Sequence, residues 1–97
     1  MLDVSDLEAT LQRSAAVARA LADSKRLCVL QCLAEGELSV RDLSDRVGCQ
    51  VPNMSQHLAV LRNSGLVLTR REGNVIYYRL ADLRILEACR LLQSISS

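Results

Sequence analysis

Residues 39–63 read SVRDLSDRVGCQVPNMSQHLAVLRN, and this stretch decides the fold. It divides into two short amphipathic helices joined tightly at Gly48-Cys49-Gln50, the arrangement that lays its second helix in a DNA groove. Ser39 is a good N-cap, and Asp42 three residues on has capping-box spacing. Val40, Leu43 and Val47 recur at helical spacing until Gly48, whose tolerance of left-handed backbone ends a helix. Pro52 suits the first turn of the next helix, where no intrahelical N–H is required. There Met54, Leu58 and Leu61 follow the i, i+4, i+7 rule and are predicted to face inward. Pro52, Gln56, Ala59 and Asn63 point the other way, flanked by Asn53, Ser55 and Val60. That face carries amides, a hydroxyl and small side chains but no acid, which suits close approach to base edges and phosphates.

Outward from this segment the chain reads as helix, helix, helix-turn-helix, hairpin, helix. Ser5 and Glu8 have capping-box spacing, so the first helix is expected over 5–22, with Leu7 and Leu11 on its apolar stripe. Asp23 can cap a second helix over Ser24–Glu35, closed by Gly36, with Leu27, Leu30 and Leu33 inward. Gly65 closes the reading helix, so the helix-turn-helix is expected over 39–64. Leu66–Arg71 and Val75–Leu80 are β-favouring runs joined through Glu72-Gly73-Asn74, a hairpin over 66–80 with Arg70 and Arg71 near its tip. These arginines suit phosphate or the minor groove; the competing reading is that they protect an edge strand from aggregation. The last helix is expected over 82–95. Its apolar positions Ile85, Leu86, Ala88, Cys89, Leu92 and Ile95 cover about half the circumference, more than docking on one small domain requires. A two-fold dimer through the first and last helices follows, with Leu7, Leu11, Ile85, Leu86, Cys89 and Leu92 at its interface.

Composition sets the limits. At 97 residues the chain is one domain, 49% hydrophobic with two Tyr and no Phe or Trp, so its core is aliphatic. The net charge of +1 is unevenly spread: residues 41–79 hold six basic and three acidic side chains, which puts the positive excess on the DNA-reading segment. No apolar run is long enough to span a membrane and no signal-peptide core opens the chain, so a cytoplasmic setting is expected, with the four cysteines reduced. Nothing suggests an enzyme: there is no nucleophile with a partnered base, no phosphate-cradling glycine loop and no paired carboxylates.

Residues Ala20 to Leu80 resemble the ArsR (ArsR/SmtB) family of winged-helix repressors, through ALADSKRLCVLQCLAEGELSV, DLSDRVG, VPNMSQHLAVLRNSGLV and TRREGNVIYYRLAD. The resemblance implies a mainly α winged helix-turn-helix with five helices and a two-stranded wing. It also implies a homodimer that binds double-stranded operator DNA at an inverted repeat, and an inducer that releases it. Asn53, Ser55, Gln56 and His57 then sit where family members contact DNA, with Arg71 on the wing; Gln50, Arg62 and Arg70 complete the expected contact set. Gln50 and Val51 replace the Ser-Gln that often opens the reading helix, weakening its cap and removing one polar reader. His57, the sole histidine, falls at the edge of the buried stripe, where a partly buried ring bonded to backbone and a phosphate contact both fit.

Neither common sensor type of the family is retained. Where arsenic-type members have Cys-Val-Cys-Asp-Leu this chain has Ser39-Val40-Arg41-Asp42-Leu43, and where zinc-type members have Asp-x-His it has Asp82-Leu83-Arg84 with no later histidine. The candidate sensor thiols are Cys28, Cys32 and Cys89. Cys28 and Cys32 lie at i, i+4, with Cβ atoms about 5–6 Å apart, too far for an undistorted disulfide but within span of a soft metal or metalloid. Cys89 or Cys49 offers a third ligand. Alternatively one thiol of the pair joins Cys89 in an oxidant or persulfide response. A persulfide-sensing branch of the family is similar in kind, although Gln31 and Ser97 stand about where its two cysteines fall. All four cysteines also suit plain packing, and no resident cofactor is required. The alternative function is an ArsR-like regulator without a metal or thiol sensor, controlled by another ligand or a partner protein.

Overall fold

The computed structural model describes residues 3–96; Met1, Leu2 and Ser97, the last of which bears on the persulfide comparison, lie outside the described residues. The first helix, α1, spans Val4–Leu21 and is capped by Asp3, whose carboxylate accepts the Asp6 N–H at 2.9 Å. An acid two residues upstream of Ser5 thus takes the capping role assigned to the Ser5–Glu8 pair. Asp23 caps α2 (Ser24–Cys32) through the N–H groups of Lys25 and Arg26. The expected helix to Glu35 then tightens into a 3₁₀ turn over Leu33–Glu35. A short strand, β1 (Leu38–Ser39), leads into α3 (Val40–Val47).

The joint of the helix-turn-helix forms as its residue types dictate. Ser39 Oγ accepts the Asp42 N–H at 3.1 Å, and Gly48 turns the chain at φ 80°, where a Cβ would be strained. Its N–H and that of Cys49 both close on the Ser44 carbonyl. Then α4 runs Val51–Asn63 with Pro52 in its first turn. As the spacing requires, Met54, Leu58 and Leu61 are fully buried, and they meet Val29 and Leu30 of α2 and Leu43 of α3 in one aliphatic core.

The hairpin comprises β2 (Val67–Glu72) and β3 (Val75–Leu80), with Glu72 opposite Val75. That register leaves Gly73-Asn74 as a two-residue turn; Gly73 has φ 61° and Asn74 a negative φ, the type II′ pattern. The sheet has three strands rather than the two expected, in the order β1-β3-β2, with Leu38 opposite Tyr78 and Ser39 opposite Tyr77. Two residues are too few to show a period-2 signal in sequence, so β1 passes for a loop.

Asp82 stands before the last helix rather than in it. Its carboxylate accepts the Arg84 N–H at 2.8 Å, and α5 spans Arg84–Ser96. Of the wide apolar stripe, Ile85 and Cys89 are buried against the core, Leu86 and Ala88 are half-buried, and Leu92 and Ile95 are exposed. On α1, Leu7 and Leu11 are exposed too, and only Ala20 is fully buried. The two end helices therefore carry apolar faces that the protomer itself does not cover.

Candidate nucleic-acid interface

Helix α4 projects its polar face beside the wing. Gln50, Asn53, Ser55, Gln56 and Arg62 are all exposed, and the face contains no acidic residue. Gln50 occupies the N-cap position, but its side chain makes no capping bond, so the first amides of α4 lack the acceptor that a serine would bring. Between α4, the first turn of α3 and the start of β3 lies an open groove of about 660 Å³. Arg41, Ser55, Asn74 and Ile76 contribute to its walls. Arg41 was not among the residues singled out from sequence. Its only sequence signal is membership of the basic excess, and the third dimension puts it beside the reading helix.

The two wing arginines separate completely. Strand alternation sends neighbouring residues to opposite faces, with Arg70 opposite Tyr77 and Arg71 opposite Ile76. Arg70 faces Glu37, which its guanidinium grips through two nitrogens, and it bonds Glu72 at 2.8 Å. The Glu37 carboxyl is held below the usual carboxylate range by this hydrogen bond, and Arg70 is held all the more firmly protonated by Glu37 and then Glu72. Arg71 instead turns toward the hairpin tip, its Nε donating to the Gly73 carbonyl at 3.0 Å.

His57 is half-buried, with 21% of its side chain exposed. Its ring partner is a side chain rather than the backbone: Nδ1 lies 3.3 Å from an Arg26 guanidinium nitrogen and 4.0 Å from the Asp23 carboxylate. The Asp23 carboxyl is itself lowered, first by the Arg26 N–H it accepts, which outweighs the cost of burial, and further by the Lys25 N–H and the Arg26 guanidinium.

The cysteines occupy three environments. Cys28 is exposed, Cys32 and Cys49 are half-buried, and Cys89 is 1% exposed. Burial raises the Cys32 thiol pKa, and the neighbouring Cys28 adds to it through charge and a hydrogen bond, while Arg46 pulls it back. Arg46 and Cys32 share the wall of a cavity of about 200 Å³ with Glu35 and Glu37. Burial alone raises the Cys89 thiol. Among the described residues no group of three or more His, Cys, Asp or Glu side chains is placed to hold a metal ion, so the protomer gathers no third ligand for the Cys28–Cys32 pair. Nor is any described helix long and apolar enough to cross a membrane.

The profile of the bacterial regulatory protein arsR family matches residues 23–69, the span from the α2 cap to the wing. The chain is 34% identical to the transcriptional activator HlyU of Vibrio cholerae over 91 residues, covering 94% of this chain and 84% of that protein. It belongs to the arsR family. It is also 53% identical over 66 residues to the transcriptional regulator KmtR of Mycobacterium tuberculosis, covering 68% of this chain but 51% of KmtR. Among solved structures, the homodimeric winged helix-turn-helix DNA-binding domain from Mycobacterium bovis superimposes with a TM-score of 0.85 at 33% identity, covering 99% of this chain and 89% of that one. The fold is thus the winged helix of DNA-binding transcriptional regulators, and the family is one of regulators rather than enzymes.

Proposed function

We propose that this family member is a transcriptional repressor that binds an inverted-repeat operator as a two-fold dimer. The observation that carries the reading is the exposed, acid-free face of α4 beside a groove walled by Arg41 and the wing. Gln56 and Asn53 supply bidentate amides for base edges, Ser55 and Arg62 contact backbone, and Arg71 reaches phosphate from the wing tip. Dimerisation is supported by the uncovered apolar residues of α1 and α5, including Leu7, Leu11 and Leu92, and by the homodimeric relative from Mycobacterium bovis. Two copies then present their reading helices about one helical turn apart.

Release by thiol chemistry is the inducer reading that the cysteines support best. Cys28 is the exposed entry point and Cys32 its partner one turn on, suited to a soft metal or metalloid, or to reactive sulfur or an oxidant. A specific observation favours the second reading, control by another ligand or a partner protein: Cys89 is sealed in the core and both its thiol and that of Cys32 are shifted toward the inert protonated form.

The test has two stages. Binding sites are selected from random duplex DNA with the purified chain, and sedimentation gives its oligomeric state. Recovery of an inverted repeat by a dimer is expected; a monomer that enriches no sequence overturns the proposal. Release from the selected duplex is then titrated with arsenite, cadmium, polysulfide and peroxide. Release that survives Cys28→Ser, Cys32→Ser and Cys89→Ser unchanged, or no release at all, favours the second reading.

A further inference from the structure

The geometry points to Arg26 as a positioning residue for DNA binding: it fixes the ring tautomer of His57 so that Nε2 carries the proton and serves as the donor to a DNA phosphate. Arg26 lies on α2, and 15% of its side chain is exposed. Its Nε donates to the Ala20 carbonyl at 2.7 Å, and one terminal nitrogen donates to the Arg19 carbonyl at 3.1 Å. Both carbonyls belong to the last turn of α1, where the negative end of the helix dipole attracts a cation; the Arg19 carbonyl also accepts the Ala22 N–H at 3.2 Å. The other terminal nitrogen lies 3.3 Å from His57 Nδ1 and 3.8 Å from the Asp23 carboxylate.

A guanidinium has only donors and does not give up its proton in proteins, so Nδ1 is the acceptor in this contact. In a neutral imidazole whose Nδ1 accepts, the single ring proton sits on Nε2. The guanidinium is planar and anchored on two backbone carbonyls, so the ring it meets is held in orientation as well as in tautomer. His57 follows Gln56 directly on the reading helix and stays partly exposed, so its Nε2–H is the donor that the packing leaves over. Asp23 serves here as an orienter of Arg26, whose N–H its carboxylate also accepts. The inference rests on the reading of α4 as the DNA-contacting helix.

Because His57 is the sole histidine, its two ring nitrogens give unambiguous ¹⁵N signals in the full chain. At a pH where the ring is neutral, the wild type is expected to show a protonated Nε2 and an unprotonated Nδ1, and Arg26→Gln a mixture. A proton on Nδ1 in the wild type overturns the inference. The second measurement is a double-mutant cycle on a duplex that the wild type has selected, with affinity and Tm recorded for R26Q, H57Q and the pair. A glutamine at 57 carries its N–H₂ near the Nε2 position and needs no tautomer choice. R26Q is expected to weaken binding about twofold per half-site, because an even tautomer mixture leaves half of the rings able to donate from Nε2. In the H57Q background the same change is expected to leave affinity unaltered, while still lowering Tm because both backgrounds lose the Arg26 bonds to the end of α1. Equal loss of affinity in both backgrounds, or no loss in either, overturns the inference. Should R26Q not fold, R26M keeps an unbranched stem without any donor and takes its place in the cycle. A wild type that selects no duplex defeats the DNA reading itself, while the nitrogen signals still decide the tautomer.

Discussion

The Arg70 guanidinium carbon lies 4.9 Å from the centroid of the Tyr77 ring directly across the hairpin. With Glu37 and Glu72 also on it, Arg70 is a wing anchor, whereas Arg71 at the tip is tied to the Gly73 carbonyl and to no acidic side chain among the described ion pairs. Replacing Arg71 with Ala is therefore expected to weaken binding to all duplexes alike and to reduce the slope of log affinity against log salt by about one per half-site, about two for the dimer. Replacing Arg70 with Ala should leave that slope nearly unchanged. Anisotropy titrations over a salt series separate the two.

Gln56 is exposed on the face of α4 proposed to read DNA, so Gln56→Ala should change stability by less than about 0.5 kcal/mol. What it should lose is discrimination: about 1–3 kcal/mol at one base pair per half-site. Competition between the selected duplex and single-base variants measures this, and an unaltered ranking would place the reading residues elsewhere.

Asp23 caps α2 and has a depressed carboxyl pKa in the folded chain. Its stabilisation is thus fully present above the ordinary value of 3.8 and is lost as pH falls through and below it. Asp23→Ala is expected to cost about 1 kcal/mol at neutral pH, the usual loss for an N-cap, and to flatten part of the decline of Tm in acid. Thermal melts from about pH 7 down to about pH 3 give both quantities.

Much of the reading unit is legible because its signals are local. Ser39, Gly48 and Pro52 mark ends, and Met54, Leu58 and Leu61 mark a face, all within a few turns of chain. What sequence hides is the pairing of residues far apart. Arg70 and Arg71 look alike until Glu37, 33 positions earlier, is brought against one of them. His57 falls at the edge of the buried stripe as its spacing requires, yet its partner Arg26 stands 31 positions away. The start of α1 is ambiguous in sequence for the opposite reason: Asp3 and Ser5 are both good caps, and local sequence alone does not rank them.

Cys89 is packed in the core with nothing but burial acting on its thiol. Cys89→Ser buries a hydroxyl where a small apolar group sat, at an expected cost of about 1–3 kcal/mol. Cys28→Ser, on an exposed helix position, should change stability by less than about 0.5 kcal/mol. Denaturant melts of the two variants test the contrast; a thermally neutral Cys89→Ser would mean that the site is more open than its packing indicates.

Ser39 is shared property: it is the last residue of β1, paired with Tyr77, and its hydroxyl also holds the first turn of α3. Tension applied at the hairpin tip therefore travels through β3 into the cap of the helix-turn-helix. In a single-molecule pulling experiment the hairpin and the reading unit would come apart in one rupture event, because no compliant linker separates them.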